Sequence, residues 1–548
     1  MMSRLGGESL FNVRSYGAVG DGVAKDTKAI NRAIADCHDR GGGIVRVPAG
    51  TYLTGTVNLL SDITLHLEAG AVLLGSPDVG DYRKLPYTSE FRNQALIVAI
   101  GAVNVSIEGR GAIDGNSDAF MEHGQADLAR DYSVECTRQG EAYNLVNDQP
   151  DEGPLACKPR PGILILFLRC QEVSVTGIKI RNSPNWCLHV ARSEGIRLTG
   201  LEIKNSLLVP NADGIDVSRS RNVRISDCNI EGGDDGLAFS PCAEGYGESD
   251  SENVVVENCT IVSRSAGIRL GWDACHFRNF LFHNIVIHGS NRGIGIYLRE
   301  GESIDNVVFS NIVIHTRLHK GKWWGKAEPI HISVVPLPAH TKSEFRGTMG
   351  RIRNVTFSSI TAIGEQGIVV AGNSDSYIED LTFDQVRITL KEGPLQESFG
   401  GNFDFRPSRD PRLNVFAHDI PALYASHVRN LTLRHVDVRW EGKLPKYVKN
   451  GLEIANFDGV VIDGFSGSQP QSGSAEEGAA IALRDGRRAT VRNSLAKPGT
   501  GVFLKADRVE RPGLFTHNDT TEAETMILPE EHGFLLSANL AREGTGLN

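Results

Sequence analysis

One short phrase recurs ten times along the chain, and this repeat restricts the fold more than any other feature of the sequence. The phrase is an alternation of β-branched or apolar residues, a small or polar pair, then a second short alternation. It reads VSVTGIKI from Val173, IRLTGLEI from Ile196, VRISDCNI from Val223, VVVENCTI from Val254, FLFHNIVI from Phe280 and VVFSNIVI from Val307. It returns as VTFSSITA from Val355, LTFDQVRI from Leu381, LTLRHVDV from Leu431 and VVIDGFSG from Val460. Two of the steps between phrases, Val307 to Val355 and Leu381 to Leu431, are close to twice the length of the others. Alternation with period two marks strands. A unit this short, made only of strands, cannot bury its inner face alone; stacked copies can, and the result is a solenoid. The leucine-rich frame is missing, and a propeller blade needs roughly 40–45 residues. An all-β chain folded as a parallel β-helix is therefore predicted. The two long steps hold either a degenerate coil or an inserted loop. Cys228 and Cys259 take the same place in adjacent units, as stacked inward residues do.

The repeat organises the rest of the chain. An amphipathic segment from Thr27 to His38, with Ala29, Ile30, Ala33 and Ile34 on one face, is predicted to be a helix capping the open end of the solenoid. No Pro- or Ser-rich linker divides residues 1–548, so one elongated domain is expected. Within it, 10–75 would be the N-terminal cap and first coils, 116–160 an inserted loop, 161–495 the coils, and 496–548 a C-terminal cap or tail. Two further irregular stretches fall near 315–333 and 393–425. Long insertions in a regular scaffold are more often functional walls than linkers. The 57 basic and 67 acidic residues give a net charge of −10, which argues against nucleic acid or an anionic membrane as partner. The nine cysteines are scattered with no CxxC pair, so neither a disulfide framework nor a zinc site is expected. The opening MMSRLGGESLFNV lacks the apolar core of a signal peptide, and a cytoplasmic location is the corresponding expectation.

The densest chemistry lies in two consecutive units: Asn211-Ala212-Asp213-Gly214-Ile215-Asp216, then Gly232-Gly233-Asp234-Asp235-Gly236. The spacing from Asp213 to Asp234 is about one short coil. Stacking at the strand spacing of about 4.7–4.9 Å would crowd Asp213, Asp234 and Asp235 into one patch. Like charges that close raise the pKa of at least one member, and a protonated acid beside ionised carboxylates is what glycosidic bond cleavage requires. Asp and Gly also make plain turns, and clustered carboxylates also bind calcium.

These motifs, together with Asn182-Ser183-Pro184-Asn185-Trp186-Cys187-Leu188-His189, resemble glycoside hydrolase family 28, the polygalacturonase family, whose pattern is NSPxW, NTDGxD and GDDC. The opening Asn12-Val13-Arg14-Ser15-Tyr16-Gly17-Ala18-Val19-Gly20-Asp21-Gly22 is similar to the start of many pectin-active β-helix proteins. The resemblance implies a right-handed parallel β-helix that hydrolyses α-linked uronic acid polymers with inversion and without a metal or other cofactor. It implies Asp234 as general acid, with Asp213 and Asp235 activating water. Strand spacing alone is nearer the separation of about 5–5.5 Å found in retaining enzymes than the ~6.5–9.5 Å of inverting ones.

The chain also departs from the family pattern. Ser265-Ala266-Gly267 stands in place of Gly-His-Gly, Gly295-Ile296-Tyr297 in place of Arg-Ile-Lys, and Ser240 in place of a frequent Lys. The three aspartates that cleave are kept, while the cations that hold a galacturonate carboxylate are not. Arg269, Arg299 and Lys322 are candidate replacements. Asn211, Trp186, His189, Tyr297, Trp323 and Trp324 complete the candidate substrate contacts; for Trp186, His189 and the paired tryptophans, packing is the alternative role. Asp404, Phe405, Arg406, His418 and Asp419 lie in the later insertion as weaker candidates. The expected activity is exo-acting hydrolysis of an α-linked sugar from an oligosaccharide or small glycoside, with a neutral terminal sugar preferred. A polysaccharide lyase, which would use calcium and a cationic base, and a noncatalytic carbohydrate-binding β-helix are the rivals.

Overall fold

The computed structural model describes residues 10–89, 92–127, 152–240, 250–272, 275–299, 301–321, 323–334, 349–396, 420–470, 478–510, 512–529 and 533–542. The fold is a parallel β-helix with one helix near the N-terminus. The described residues fall into two compact units, one ending at Arg264 and the other beginning at Ser265.

In the first unit the chain winds through three parallel sheets. One is built from β1 (Ile163–Leu168), β2 (Trp186–Ala191), β3 (Ile215–Ser218) and β4 (Leu237–Phe239), each paired with the next coil's strand. The two halves of the repeated phrase form the other two sheets. Val173 lies level with Ile196, Ile196 with Val223, and Val223 with Val254, so the register of the sequence repeat is the register of the structure. Alternate residues point inward, and Val173, Val175, Ile196, Leu198, Val223, Ile225, Val254 and Val256 are all buried. Cys228 and Cys259 are buried free thiols on consecutive coils, each donating to a backbone carbonyl two residues back, Ser226 O at 3.1 Å and Glu257 O at 3.2 Å. Helix α1 (Thr27–Asp39) buries Ala29, Ile30, Ala33, Ile34 and Cys37, the face its apolar spacing predicts.

Each phrase begins and bends at a residue in the left-handed region. Glu172, Gly195, Asn222 and Asn253 precede the phrase with φ of 54, 73, 58 and 58°. Gly177, Gly200, Asp227 and Asn258 bend it midway with φ of 72, 64, 58 and 55°. Asn and Asp tolerate this conformation better than other side-chain-bearing residues because they bond locally. Here the amides also run up the stack: Asn253 Nδ2 donates to Asn222 Oδ1 at 3.2 Å, and Asn222 Nδ2 to Glu194 Oε1 at 3.1 Å. Replacing Asn222 with Val is therefore expected to cost about 1–2 kcal/mol, because a β-branched residue is forced left-handed. Asn222→Gly loses only the amide link. Urea unfolding checks this, and equal losses for the two variants would overturn it.

In the second unit the phrases pair in the same manner. Phe280 lies level with Val307, Val307 with Val355, and Val355 with Leu381. Phe282, Phe309, Phe357 and Phe383 stack in turn with ring centroids 4.6, 4.8 and 5.0 Å apart. Both long steps of the repeat are bridged by direct pairing, Val307 with Val355 in one and Thr382 with Thr432 in the other. Each therefore spans a single turn of the stack, not a degenerate extra coil. The stretch expected to be irregular at 315–333 includes a strand, β7 (Ile330–Val334), paired with β6 (Arg292–Leu298), which in turn pairs with β5 (Ala266–Gly271). Residues 496–548, expected as a cap or tail, carry on the parallel pairing as far as Ala541: Thr500–Val509 pairs with Ala523–Leu528, and Gly513–Thr516 with Phe534–Ser537. The apolar signal fades there because buried inward positions are polar, among them Thr500, Asn518 and Thr520.

Candidate active site

The conspicuous acids lie on the turns that lead into β3 and β4. Ile215 lies level with Leu237, and Gly214 N donates to Asp235 O at 2.9 Å. Carried back along the chain, this register sets Asp213 level with Asp235. The expectation that Asp213 stacks on Asp234 is thus corrected: the coil from Ile215 to Leu237 is one residue longer than the spacing from Asp213 to Asp234. Asp234 instead follows Gly233, whose N–H donates to Ala212 O at 3.0 Å. The turns fit because two positions lack a side chain. A Cβ on Gly233 would lie 2.1 Å from Val209 O, and one on Gly214 would lie 2.4 Å from Gly236 O.

Asp213, Asp234 and Asp235 each present a carboxylate oxygen within 4.8 Å of the other two. Their exposures are 2, 5 and 4%, so three acids share a small, nearly dry volume. Asn211 Nδ2 donates to Asp234 Oδ2 at 3.3 Å. Backbone anchors fix the turns: Asn205 Nδ2 donates to Asp213 O at 3.1 Å, and Ser263 Oγ to Asp234 O at 2.6 Å. Buried carboxylates this close cannot all ionise cheaply, which favours one protonated acid beside ionised neighbours. The same spacing suits a divalent cation, for which clustered carboxylate oxygens are the usual ligands.

The support for this cluster escaped sequence reasoning. Arg160 donates from NH1 to Pro210 O at 2.9 Å and to Pro184 O, and from NH2 to Asn211 Oδ1 at 3.5 Å. It pins the Asn182–Trp186 turn to the loop that carries Asn211. Part of the insertion expected at 116–160 does related work. Met121–Ala126 pairs antiparallel with Leu155–Cys157, and Phe120, Met121 and Leu155 pack on Val209 and Ala212. Residues 128–151 of that insertion lie outside the described residues.

The remaining candidates divide between the two units. In the first, Trp186 packs among Leu85, Ala95, Val98, Ile163, Leu166, Leu168 and Ala191. His189 is wholly buried, 5.0 Å edge-on from Trp186, with Nε2 3.0 Å from Ser218 Oγ, and lies level with buried Asp216. Asn211, by contrast, touches the acids directly. In the second unit Arg269 and Arg299 converge on one ring, Trp272, with guanidinium carbons 5.4 and 4.5 Å from its centroid. Trp324 meets Trp272 edge-on at 6.2 Å and Tyr297 meets it at 6.3 Å, while Trp323 is buried. Tyr297 is also buried, against the expectation that it offers an open contact surface. Lys322, Asp404, Phe405, Arg406, His418 and Asp419 lie outside the described residues.

Sequence reasoning also missed Trp272 and a buried charged cluster beside Tyr297. Arg292 Nε donates to Glu328 Oε1 at 2.8 Å, and its NH2 donates to the same oxygen. His331 Nδ1 lies 2.8 Å from that oxygen, and Lys326 N donates to Glu328 Oε2 at 2.5 Å. Burial opposes ionisation of Glu328, but Arg292 and His331 outweigh it and hold its pKa at about 2. Burial and then Arg292 push His331 down to about 4, so it is neutral at pH 7. A Glu328-x-x-His331 pair, with Glu328 just ahead of β7 and His331 within it, was the available signal, but its partner Arg292 lies 36 residues away.

The profile of the family described as "Glycosyl hydrolases family 28" matches residues 37–399, about two thirds of the 548-residue chain. An exo-poly-alpha-D-galacturonosidase from Dickeya chrysanthemi is 31% identical over 254 residues, covering 42% of this chain and 42% of that protein. A probable polygalacturonase from Vitis vinifera is 29% identical over 239 residues, covering 41% of this chain and 42% of that protein. The chain thus spans less than half the length of these two relatives. Among solved structures, a family 28 exopolygalacturonase from Yersinia enterocolitica superposes with a TM-score of 0.59 at 20% identity, covering 84% of this chain and 79% of that one, a likeness of fold. By the extent of the profile match, the chain belongs to glycosyl hydrolase family 28.

Proposed function

We propose that this protein is a glycosidase that removes an α-linked sugar from the end of an oligosaccharide or a small glycoside. The observation that carries this reading is the cluster of Asp213, Asp234 and Asp235, with oxygens within 4.8 Å in a buried setting. Asp234 gives its proton to the glycosidic oxygen as the bond from that oxygen to the anomeric carbon breaks. Water attacks the anomeric carbon, and Asp213 or Asp235 takes its proton, with inversion as the stereochemical outcome. The similarity to the exo-poly-alpha-D-galacturonosidase of Dickeya chrysanthemi supports exo action. Anomer-resolved proton NMR of the first product tests inversion: a retained anomer would overturn it.

The substrate reading turns on charge. Ala266, Ser240, Gly295 and Tyr297 occupy the positions where the resemblance implies cations or a histidine, and none of them carries a charge. A carboxylate bound beside three aspartates without a partner would cost several kcal/mol. A neutral terminal sugar is therefore preferred over galacturonate. Reducing-sugar assays on polygalacturonate, galacturonate oligomers and neutral α-glycosides test this. Faster release from the uronates would overturn the preference and assign the charge to Arg269 and Arg299. Hydrolysis needs no metal in this reading, so activity is expected to survive EDTA. Loss of activity in EDTA, with an ultraviolet-absorbing unsaturated product in the untreated reaction, would favour a lyase.

A further inference from the structure

Strands β1, β2 and β3 of the first unit are each followed by an arginine. Leu168, Ala191 and Ser218 lie level on consecutive coils, and Arg169, Arg192 and Arg219 come next in the chain. All three arginines are left-handed, with φ of 55, 50 and 44°. Every other non-glycine left-handed residue among the described residues of this unit is Asn, Asp or Glu172. Asn and Asp suit that conformation because they bond locally, which a long guanidinium side chain does not. Backbone positions that break a chain's own local rule concentrate where a side chain is needed for function. The turn beneath the arginines is firmly fixed. Arg169 N donates to Ala191 O at 2.9 Å and Arg192 N to Ser218 O at 2.8 Å. The residues that follow bond up the stack, Cys170 N to Ser193 Oγ at 2.9 Å and Ser193 N to Ser220 Oγ at 3.0 Å.

The three arginines line one cavity of about 310 Å³, together with Ser193, Glu194 and Arg221. The lining carries four arginines against one glutamate. Glu194 pairs with Arg221 at 3.4 Å and accepts from Asn222 Nδ2 at 3.1 Å, and Glu252 lies level with Arg221 on the next coil. The positive excess of the lining therefore falls on the ladder. Exposure drops from coil to coil: Arg169 is exposed, Arg192 half-buried and Arg219 buried. Neighbouring coils stand about 4.7–4.9 Å apart, close enough for one oxyanion to accept from two adjacent guanidiniums.

We propose that this arginine ladder is a binding site for a phosphate or sulfate group, free or carried on a sugar-sized molecule. Guanidinium forks match an oxyanion with several acceptors on one centre better than a point charge does. The cavity volume falls at the lower end of the ~300–1,000 Å³ range of small-molecule pockets, which leaves room for a body attached to the anion. The ladder does not belong to the acid cluster. Asp213 precedes β3 and Arg219 follows it, so the four-residue strand, about 13 Å long, stands between them.

The test uses the full chain, with glucose 6-phosphate, inorganic phosphate, inorganic sulfate and glucose as probes. Binding is measured by calorimetry at about 0.1 M ionic strength, where diffuse attraction fades beyond about 10 Å. Glucose 6-phosphate is expected to bind and glucose is not. Equal affinity for inorganic phosphate or sulfate assigns a free ion, and weaker affinity for them assigns a carried group. Arg192→Gln and Arg169→Gln are each expected to weaken binding by about tenfold or more, since each removes hydrogen bonds to a charged group. Arg224 is exposed and outside this lining. Arg224→Gln removes the same charge and is expected to leave the affinity within about twofold. Absence of binding by every anion, or equal losses for Arg192→Gln and Arg224→Gln, would overturn the proposal. Where Arg192→Gln fails to fold, the comparison of exposed Arg169→Gln with Arg224→Gln decides. Asp234→Asn is expected to bind the anion as the native protein does, whatever its turnover, which keeps this test apart from the glycosidase reading. A changed anion affinity in that variant would move the anion to the acids and overturn the ladder.

Discussion

Asp234→Asn is expected to lower turnover by at least about 10²–10⁴-fold, the contribution of a positioned acid–base group, while leaving the fold intact. The shape is preserved because the replacement is nearly isosteric and its amide oxygen can still accept from Asn211 Nδ2, now 3.3 Å from Asp234 Oδ2. The backbone anchor is untouched, since Ser263 Oγ donates to Asp234 O and not to the carboxylate. What disappears is the proton. In the acid's role Asp234 is already protonated and neutral, so an amide there changes no charge and stability is expected to hold. Loss of activity with unchanged Tm would mark a catalytic group. Turnover within a factor of about ten of the native protein, on a substrate the native protein cleaves, would remove Asp234 from the acid's role.

The fold was legible because the physics that builds it is periodic. Alternation gave the strands, and the step between phrases gave the register from Val173 to Val254 without adjustment. The site was legible in part, as Asp and Gly crowd two adjacent turns whose chemistry needs nothing distant in sequence. The level of each acid was not legible, because coil length varies and a single residue decides whether Asp213 faces Asp234 or Asp235. Arg160 was hidden for a different reason: it reaches 50 and 51 residues onward to Pro210 and Asn211 from an aperiodic insertion. Position in a repeat says nothing about a side chain that leaves the repeat. The same limit concealed the fate of Tyr297. Alternation places it on the outer face of β6, but only the conformation shows the ring turned back over Gly295 and covered.

The buried cluster on β6 and β7 carries the largest expected stability effect. Glu328→Ala would leave the Arg292 guanidinium in a site where Arg292, Glu328 and His331 are each at most 1% exposed. Breaking a buried pair by removing one partner costs about 3–5 kcal/mol, because the remaining charge keeps its desolvation penalty and loses its compensation. Glu328→Gln should lose less, since an amide oxygen can still accept from Arg292. A loss below about 1 kcal/mol for Glu328→Ala, measured by urea unfolding at pH 7, would mean that the guanidinium finds other compensation. The cluster also fixes a pH dependence. His331 sits at about 4 in the folded chain against an ordinary 6.5, so the unfolded chain takes up its proton first as pH falls. Stability from His331 is complete above pH 6.5 and is lost between 6.5 and about 4. Glu328, at about 2 against an ordinary 4.5, adds a second loss between 4.5 and about 2. Each shift corresponds to stabilisation on the order of 3 kcal/mol at neutral pH. His331→Gln is expected to flatten the upper window and leave the lower one. Unchanged acid sensitivity between pH 6.5 and 4 in that variant would assign the upper loss to other groups.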